Sequence, residues 1–288
     1  MRSIVQPGPP APERIQWVEA RGRSFAFTLE AGLPLLEAAR RGFAAAGFSG
    51  GVLNMRDGAL GPFGYVMPAL SKTGDNAAFY SDTFRPAGIT RLKLAAMTLG
   101  VRDGVPFFHC HGLWHEADGR LNGGHMLPEE TMVAGPFEVQ AFGIDGAIFA
   151  AEPDSETRFK LFGPVVRSSE GGVGAKSTRR AFALRLRPNQ DFAGALETFC
   201  RQHGIFRARI HGGVGSTIGA RFTDGRRVVP FATELAIRSG GVAPGANGTL
   251  EAELDVALVD YLGGIAEGRL MRGDNPVLMT MELVLEVL

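Results

Sequence analysis

The residues FAFTL at positions 25–29 recur as FALRL at positions 182–186, and this repetition decides the prediction of the fold. The same spacing holds without a gap as far as Gly47 and its counterpart Gly204. In both segments an apolar stretch is followed by apolar residues at helical spacing, which predicts a β-strand and then an amphipathic helix. The glycine at the end of each helix suits a helix C-cap. The chain is therefore predicted to contain two copies of one unit.

The remainder of each copy is typical of short β-strands separated by Gly, Asp or Pro. The predicted strands span residues 92–99, 106–113, 132–142, 234–238, 250–259 and 277–287. One helix packed on an antiparallel or mixed β-sheet, twice over, predicts the α+β fold class with two similar domains. We expect the first copy at 20–157, a linker at 158–180, and the second copy at 181–288.

The composition of the 288 residues excludes several classes of protein. Hydrophobic residues make up 45% of the chain, which is enough for two buried cores and excludes a disordered or collagen-like protein. The two cysteines, Cys110 and Cys200, cannot form a disulfide framework. The amino terminus has no apolar signal core, and no apolar stretch reaches the roughly 18 residues of a membrane helix. We therefore expect a cytoplasmic protein without a membrane partner.

The balance of 30 basic and 30 acidic residues conceals an uneven distribution of charge. Residues 158–238 contain 15 Lys and Arg but 5 Asp and Glu. Such a basic block can attract nucleic acid or another anion. The interpretation we favour is that these side chains lie on solvated faces, offset by acidic residues from elsewhere in the chain.

Four of the six histidines fall within the segment FFHCHGLWHEADGRLNGGHM at residues 107–126. His109 and His111 are two apart on a predicted strand, so both imidazoles project from one face, about 7 Å apart along the backbone. Asp118-Gly119 predicts a hairpin turn that brings His125 back toward this pair. The spacing therefore predicts a metal site formed by His109, His111 and His125.

The direction of the His125 side chain depends on the turn. A two-residue turn at 118–119 would place residue 125 opposite Gly112 and would point its side chain away from the other two histidines. We expect a β-bulge at Gly123–Gly124 that turns the His125 side chain back to the face that carries His109 and His111. His115 shares strand parity with the pair and is the alternative third ligand, but it lies close to the end of the predicted strand.

Three neutral imidazoles can hold Zn²⁺ with one position open to water or a ligand, which is the arrangement of catalytic rather than structural zinc sites. We predict a divalent transition metal, with Zn²⁺ first and Ni, Co, Mn or Fe as alternatives. A group of histidines satisfied by hydrogen bonds is the alternative interpretation. Glu116, Asp118 and Glu129 are candidate bases for a metal-bound water, but no spacing selects one of them. The catalytic residues stay unassigned, and so does the question of whether the protein is an enzyme.

The histidine segment resembles the hallmark of one family. His109-Cys110-His111, Asp118-Gly119 and Gly123-Gly124-His125 match in order the His-x-His strand, Asp-Gly turn and Gly-Gly-His of the plant and prokaryote conserved (PPC) domain, also called DUF296. The similarity covers most of residues 20–150. It implies a compact α+β fold, assembly into trimers and, in prokaryotic members, a metal held by the three motif histidines. The family also carries a DNA-binding label, which makes nucleic acid a candidate partner.

The second copy departs from this pattern. When Glu253-Leu254-Asp255 is aligned with the His-x-His residues, the same separation leads to Glu267-Gly268-Arg269 in place of Gly-Gly-His. All three ligand positions have therefore changed. We expect the carboxylates and Arg269 to form an ion pair across two strands rather than a weak site for a hard cation. The comparison predicts one PPC-like domain with a metal and a degenerate one without it.

Two classes of function follow from these observations. The first is a metal-binding PPC-type protein with a binding or regulatory role, in which the metal is structural and the basic block meets phosphates. The second is a metal-dependent enzyme that acts on a small molecule at the open position of the three-histidine site. Cupin-like chemistry is a weaker alternative, because no histidine follows His125 before His203 and the leading helices conflict with a jelly roll.

Overall fold

The computed structural model describes residues 1–168 and 178–288, most of which form β-strands. The α-helices are α1 (Leu35–Ala45) and α2 (Phe192–Gln202), and a short 3₁₀ helix spans Pro128–Glu130. The strands in chain order are β1 (Ile15–Leu29), β2 (Gly51–Met55), β3 (Ala59–Leu60), β4 (Tyr65–Val66), β5 (Pro68–Ala69), β6 (Phe79–Tyr80), β7 (Thr90–Arg102), β8 (Val105–His115), β9 (Leu121–Met126), β10 (Val133–Gly135), β11 (Phe137–Asp145), β12 (Ala147–Pro153), β13 (Lys160–Val166), β14 (Arg179–Leu186), β15 (Ala208–Arg221), β16 (Arg227–Pro244), β17 (Leu250–Asp260), β18 (Ile265–Arg269) and β19 (Val277–Val287). The fold class is α+β, as predicted, with much more strand than helix.

One continuous sheet contains 17 of the strands in the described part of the chain, and β5 pairs with β6 apart from it. The long strand β1 belongs to both copies. Its first part pairs with β14, beginning with Ile15 opposite Leu186, and its later part pairs with β11, ending with Leu29 opposite Phe137. The two copies are therefore joined through a shared strand as well as through the chain between them.

The same succession of elements occurs in both copies. Each has a strand, a helix and a second strand, followed by an antiparallel three-stranded unit and a further strand, β11 or β19. The first copy also has the short strands β3–β6 and β10 and the pair β12–β13. The three-stranded units are β7–β8–β9 and β16–β17–β18. His111 pairs with His125 in the first unit, and Asp255 pairs with Arg269 at the aligned position of the second. This agreement in register supports the alignment of the two copies.

Two predicted segments differ from the structure. Residues 132–142 belong to two strands, β10 and β11, because Pro136 between them lacks the N–H that a continuous ladder needs. The predicted linker 158–180 contains strand β13, which pairs with β12, and ends in the first residues of β14. Residues 169–177 of this linker lie outside the described residues, and the two domain boundaries stay a prediction.

Each helix packs an apolar face on its sheet. The Asp191 side chain caps α2 by accepting a hydrogen bond from the Gly194 N–H at 2.8 Å. Phe192, Leu196 and Phe199 of α2 are buried, in agreement with the predicted helical spacing. Among the described residues, no helix has both the length and the apolar character required to cross a membrane.

The strands of the two copies also pack face to face, although they belong to one continuous sheet. One buried cluster contains Leu94, Ala96 and Leu113 of the first copy and Val214, Ala236 and Ala257 of the second. All six lie on β-strands, and Leu113 is two residues beyond His111 on β8. The same face of β8 that carries the histidines is therefore covered by the second copy.

Candidate metal centre

The hairpin β8–β9 brings three histidines together. His109 and His111 alternate with buried Cys110 on β8 and project from one face. His125 lies on β9 directly opposite His111. The side chains of His109, His111 and His125 therefore project from the same face of the hairpin, as predicted.

The expected bulge at Gly123–Gly124 is wrong, because the pairing of β8 with β9 is regular from His115 opposite Leu121 to His111 opposite His125. The turn itself supplies the extra residue. The Glu116 N–H donates to the Arg120 carbonyl at 3.0 Å, which leaves three residues in the loop instead of two. Gly119 in this loop has φ +85°, a conformation that glycine adopts without steric cost.

The ring nitrogens of the three histidines converge. His109 Nε2 lies 2.9 Å from His111 Nε2, and His111 Nε2 lies 3.2 Å from His125 Nδ1. The other nitrogens of the first two rings have partners: His109 Nδ1 lies 2.6 Å from Glu282 Oε1, and His111 Nδ1 lies 3.0 Å from the Leu235 carbonyl oxygen. A carbonyl oxygen only accepts, so the Nδ1–H of His111 donates to Leu235. In both rings the Nδ1 contact leaves Nε2 directed toward the other histidines.

A fourth donor comes from the second copy. Glu234 on β16 places Oε2 against His111 Nε2, and one ligand atom from each of His109, His111, His125 and Glu234 lies within 4.8 Å of the others. Three imidazoles and one carboxylate form a donor set suited to a divalent transition metal. A carboxylate is thus added to the three histidines expected from the sequence.

Sequence reasoning missed both acidic residues of this centre, Glu234 and Glu282. Glu234 begins the predicted strand 234–238, but it lies in the copy that lacks the histidines. Glu282 is on the terminal strand β19 and is fully buried. Only the face-to-face packing of the two copies brings these residues to the histidines.

The surroundings of the histidines control their protonation. Burial and the neighbouring His111 hold the pKa of His109 well below its usual range, and burial together with His109 and His111 does the same for His125. For His111, burial lowers the pKa, but the Glu234 carboxylate, the Leu235 carbonyl and Glu282 together outweigh burial and raise it. Burial raises the pKa of Glu282 well above the usual range of a carboxyl group. Two of the three imidazoles are thus kept in the neutral form that binds metals.

His115, the alternative third ligand, is not part of this group. It is exposed at the end of β8, with Nδ1 3.4 Å from the Gly119 carbonyl oxygen. Cys110 is buried on the opposite face of β8, with Sγ 3.5 Å from Met126 Sδ.

The three candidate bases occupy different positions. Glu116 accepts hydrogen bonds from Tyr65 Oη at 2.7 Å, Arg120 Nη2 at 2.6 Å and Asn122 Nδ2 at 2.7 Å, so it holds the hairpin together. Asp118 is exposed in the turn. Glu129 is the one candidate base that lines the same pocket as His109 and His125.

The second copy has an ion pair at the aligned position, as predicted. Arg269 Nη1 lies 3.4 Å from Glu253 Oε2, and Arg238 Nη2 lies 3.1 Å from Asp255 Oδ2. The carboxylates that replace His109 and His111 are therefore matched by guanidinium groups.

Several arginines of the basic block, residues 158–238, pair with acidic residues outside it. Arg180 lies 2.8 Å from Glu19, and both Arg185 and Arg187 contact Asp154, at 2.8 and 2.6 Å. These pairs support the interpretation that acidic residues from elsewhere in the chain offset the block.

Comparisons with known proteins give a family match for part of the chain. No curated protein matches the sequence. A plant- and prokaryote-conserved (PPC) protein from Pyrococcus horikoshii is similar in structure, with 17% identity and a TM-score of 0.40 over 52% of this chain and 97% of the other. A metal-containing protein from Archaeoglobus fulgidus has 19% identity and a TM-score of 0.39 over 49% of this chain and 94% of the other.

The family match falls on the second copy, which has lost the histidines. His109, His111 and His125 lie before the matched region. By sequence, residues 173–288 of the chain match the Plants and Prokaryotes Conserved (PCC) domain family.

Proposed function

We propose that this protein is a metalloprotein that binds one divalent transition-metal ion per chain, held by His109, His111, His125 and Glu234. The observation that carries the proposal is the convergence of these four donors within 4.8 Å. The Nδ1 contacts of His109 and His111 support it, because they leave both Nε2 atoms available to a metal.

Zinc is the first candidate for the ion. Three histidines and one carboxylate complete a tetrahedral zinc site, which zinc can expand to five ligands. Mn, Fe, Co or Ni with a higher coordination number would leave further positions for a small molecule. When bound, the ion would supply Lewis-acid chemistry. Glu282 would hold the His109 ring in the orientation that directs Nε2 at the ion.

We favour a small molecule over nucleic acid as the partner of this centre. His109 and His125 line a pocket, and the His109 side chain is 12% exposed, so that only a small group can approach it. The pairing of Arg180, Arg185 and Arg187 makes the basic block a weaker candidate for phosphate contacts. A small molecule that reaches the metal centre is therefore the preferred partner.

A metal titration tests the proposal. Apo protein is titrated with Zn²⁺ and, separately, with Mn²⁺ and Co²⁺, and the bound ion is measured by calorimetry and by elemental analysis after gel filtration. We expect saturation at one ion per chain for at least one metal. Saturation at two equivalent ions, or no retained metal of any of the three kinds, would contradict the proposal.

The resemblance to the PPC domain also implies assembly. We expect a homotrimer that contains six PPC-like units, because the exposed edges of antiparallel sheets need to be covered. Light scattering at micromolar concentration should give three times the chain mass of 30.7 kDa. A mass equal to that of one chain would be incompatible with a trimer.

A further inference from the structure

The β5–β6 arm, residues 67–81, projects from the first copy beside the histidines. It begins directly after Val66, which pairs with His125. Its two strands form a small sheet of their own, apart from the large sheet. At its base the Ser81 N–H donates to the Met67 carbonyl and the Met67 N–H donates to Ser81 Oγ, each at 2.9 Å. The arm is therefore a separate hairpin attached next to the third histidine.

Apolar packing holds the arm on the second copy. Ala78 is 5% exposed. It belongs to a buried apolar cluster with three residues of the second copy, Ile218, Ala232 and Leu278. Among the described residues, one hydrogen bond joins residues 68–80 to the rest of the protein, from Asn76 Nδ2 to the Thr157 carbonyl at 3.0 Å. The tip at residues 72–75 is exposed. A segment with so few hydrogen bonds opens at a lower free-energy cost than the sheet beneath it.

The arm forms one wall of an inner cavity behind the histidines. The residues of the arm that line this cavity are Pro68, Ala78, Phe79 and Tyr80. His109, His111 and Glu234 line it as well. Its volume of about 40 Å³ accommodates a few water molecules, at roughly 10–15 Å³ each. The side chains of His111 and Glu234 are only 2% and 10% exposed. A larger molecule therefore cannot reach these two side chains while the arm is in place.

Aromatic side chains of the arm separate the inner cavity from the outer pocket, which His109 and His125 line. Tyr80 and Phe159 contribute to the lining of both spaces. Their rings meet edge-on with centroids 6.0 Å apart, and the Phe79 ring lies 5.7 Å from the Phe159 ring. Because Tyr80 and Phe79 belong to the arm and Phe159 does not, movement of the arm away from Phe159 would join the two spaces.

We propose that the β5–β6 arm is a lid that pivots at its Met67–Ser81 base and lifts Ala78 from the second copy, opening the inner cavity to small molecules. The lid belongs to the first copy, and the apolar cluster that holds it closed belongs to the second. Such local opening is a common means of admitting ligands to a buried site. Access for small reagents is independent of any bound ion, whereas control of metal entry and release rests on the proposed function.

A charge placed under the lid tests this inference. Ala78→Asp puts a carboxylate into the apolar cluster, which favours the open state because burial of the charge is costly. Thr73→Asp is the matched control, because it adds the same charge at the exposed tip of the arm. Protein without added metal is treated at pH 8 with diethyl pyrocarbonate, which acylates neutral imidazole, and peptide mass spectrometry gives the rate at each histidine. We expect His111 to react at least about tenfold faster in Ala78→Asp and at an unchanged rate in Thr73→Asp.

Two other histidines distinguish lid opening from unfolding. His115 is exposed and should react at the same rate in every variant. His211 lies in the second copy with its side chain 12% exposed, and it should stay protected. If Ala78→Asp exposes His211 as well, Phe79→Ala decides, since Phe79 is 50% exposed and its loss removes only the contact of the arm with Phe159. Phe79→Ala should accelerate the reaction of His111 about threefold or more without affecting His211.

Unchanged reactivity of His111 in both variants would overturn the lid, and so would an equal increase in Ala78→Asp and Thr73→Asp. Equal acceleration of His111 and His211 in both variants would also overturn it. Release of Zn²⁺ to a chelator should follow the same order as the reactivity of His111. Faster reaction of His111 in a protein that retains no metal would support the lid and overturn the proposed function alone.

Discussion

Replacing His111 by alanine is expected to abolish tight metal binding. His111 is the central member of the donor group, since its Nε2 contacts His109, His125 and Glu234. The substitution removes one ligand and leaves Glu234 beside a buried space, so we expect affinity for Zn²⁺ to fall by more than about 100-fold. Competition with a chromophoric chelator measures this loss.

His115→Ala is the matched control, because His115 lies on the same strand with the same parity but is exposed and outside the group. Its affinity for Zn²⁺ should equal that of the unchanged protein. If His115→Ala loses the metal and His125→Ala keeps it, the third ligand is misassigned.

Removing Glu234 should have the second largest effect, although this residue lies in the copy without histidines. Glu234→Gln keeps the shape of the side chain and removes the charged ligand. We expect roughly a 10- to 100-fold loss of affinity for Zn²⁺, comparable to the loss of other residues that support a metal site. The same chelator competition applies.

Glu253→Gln provides the comparison, because Glu253 occupies the position in the second copy that corresponds to His109 and is 73% exposed. No change in metal affinity is expected for this variant. An equal loss in Glu234→Gln and Glu253→Gln would mean that the metal lies in the second copy and that the assignment of the site is incorrect.

Local sequence patterns were sufficient to predict the hairpin that carries the three histidines. Alternation along β8 places His109 and His111 on one face, and the Asp-Gly turn brings His125 opposite. The length of the loop was not predictable from these signals, because Asp118-Gly119 fits both a two-residue and a three-residue turn. The register therefore differs from the expected bulge, while the direction of the side chains is the same.

Local sequence patterns do not indicate that the second copy contributes residues to the site. Glu234 and Glu282 reach the histidines because the sheets of the two copies pack face to face, through the cluster that includes Leu113 and Ala257. Strand periodicity identifies which side of each strand is buried, but it does not identify the strand of the other copy that covers it. At the position aligned with the histidines, the second copy has the expected ion pairing, and the structure adds that this copy supplies acidic groups to the first.

The position of the metal is the most direct test of a centre built from both copies. Crystals of the metal-loaded protein are measured at the absorption edge of the bound ion, and an anomalous difference map locates it. The account predicts one strong peak per chain, between the imidazoles of His109, His111 and His125 and the carboxylate of Glu234. A peak of equal height near Asp255, or a peak away from Glu234, would contradict it.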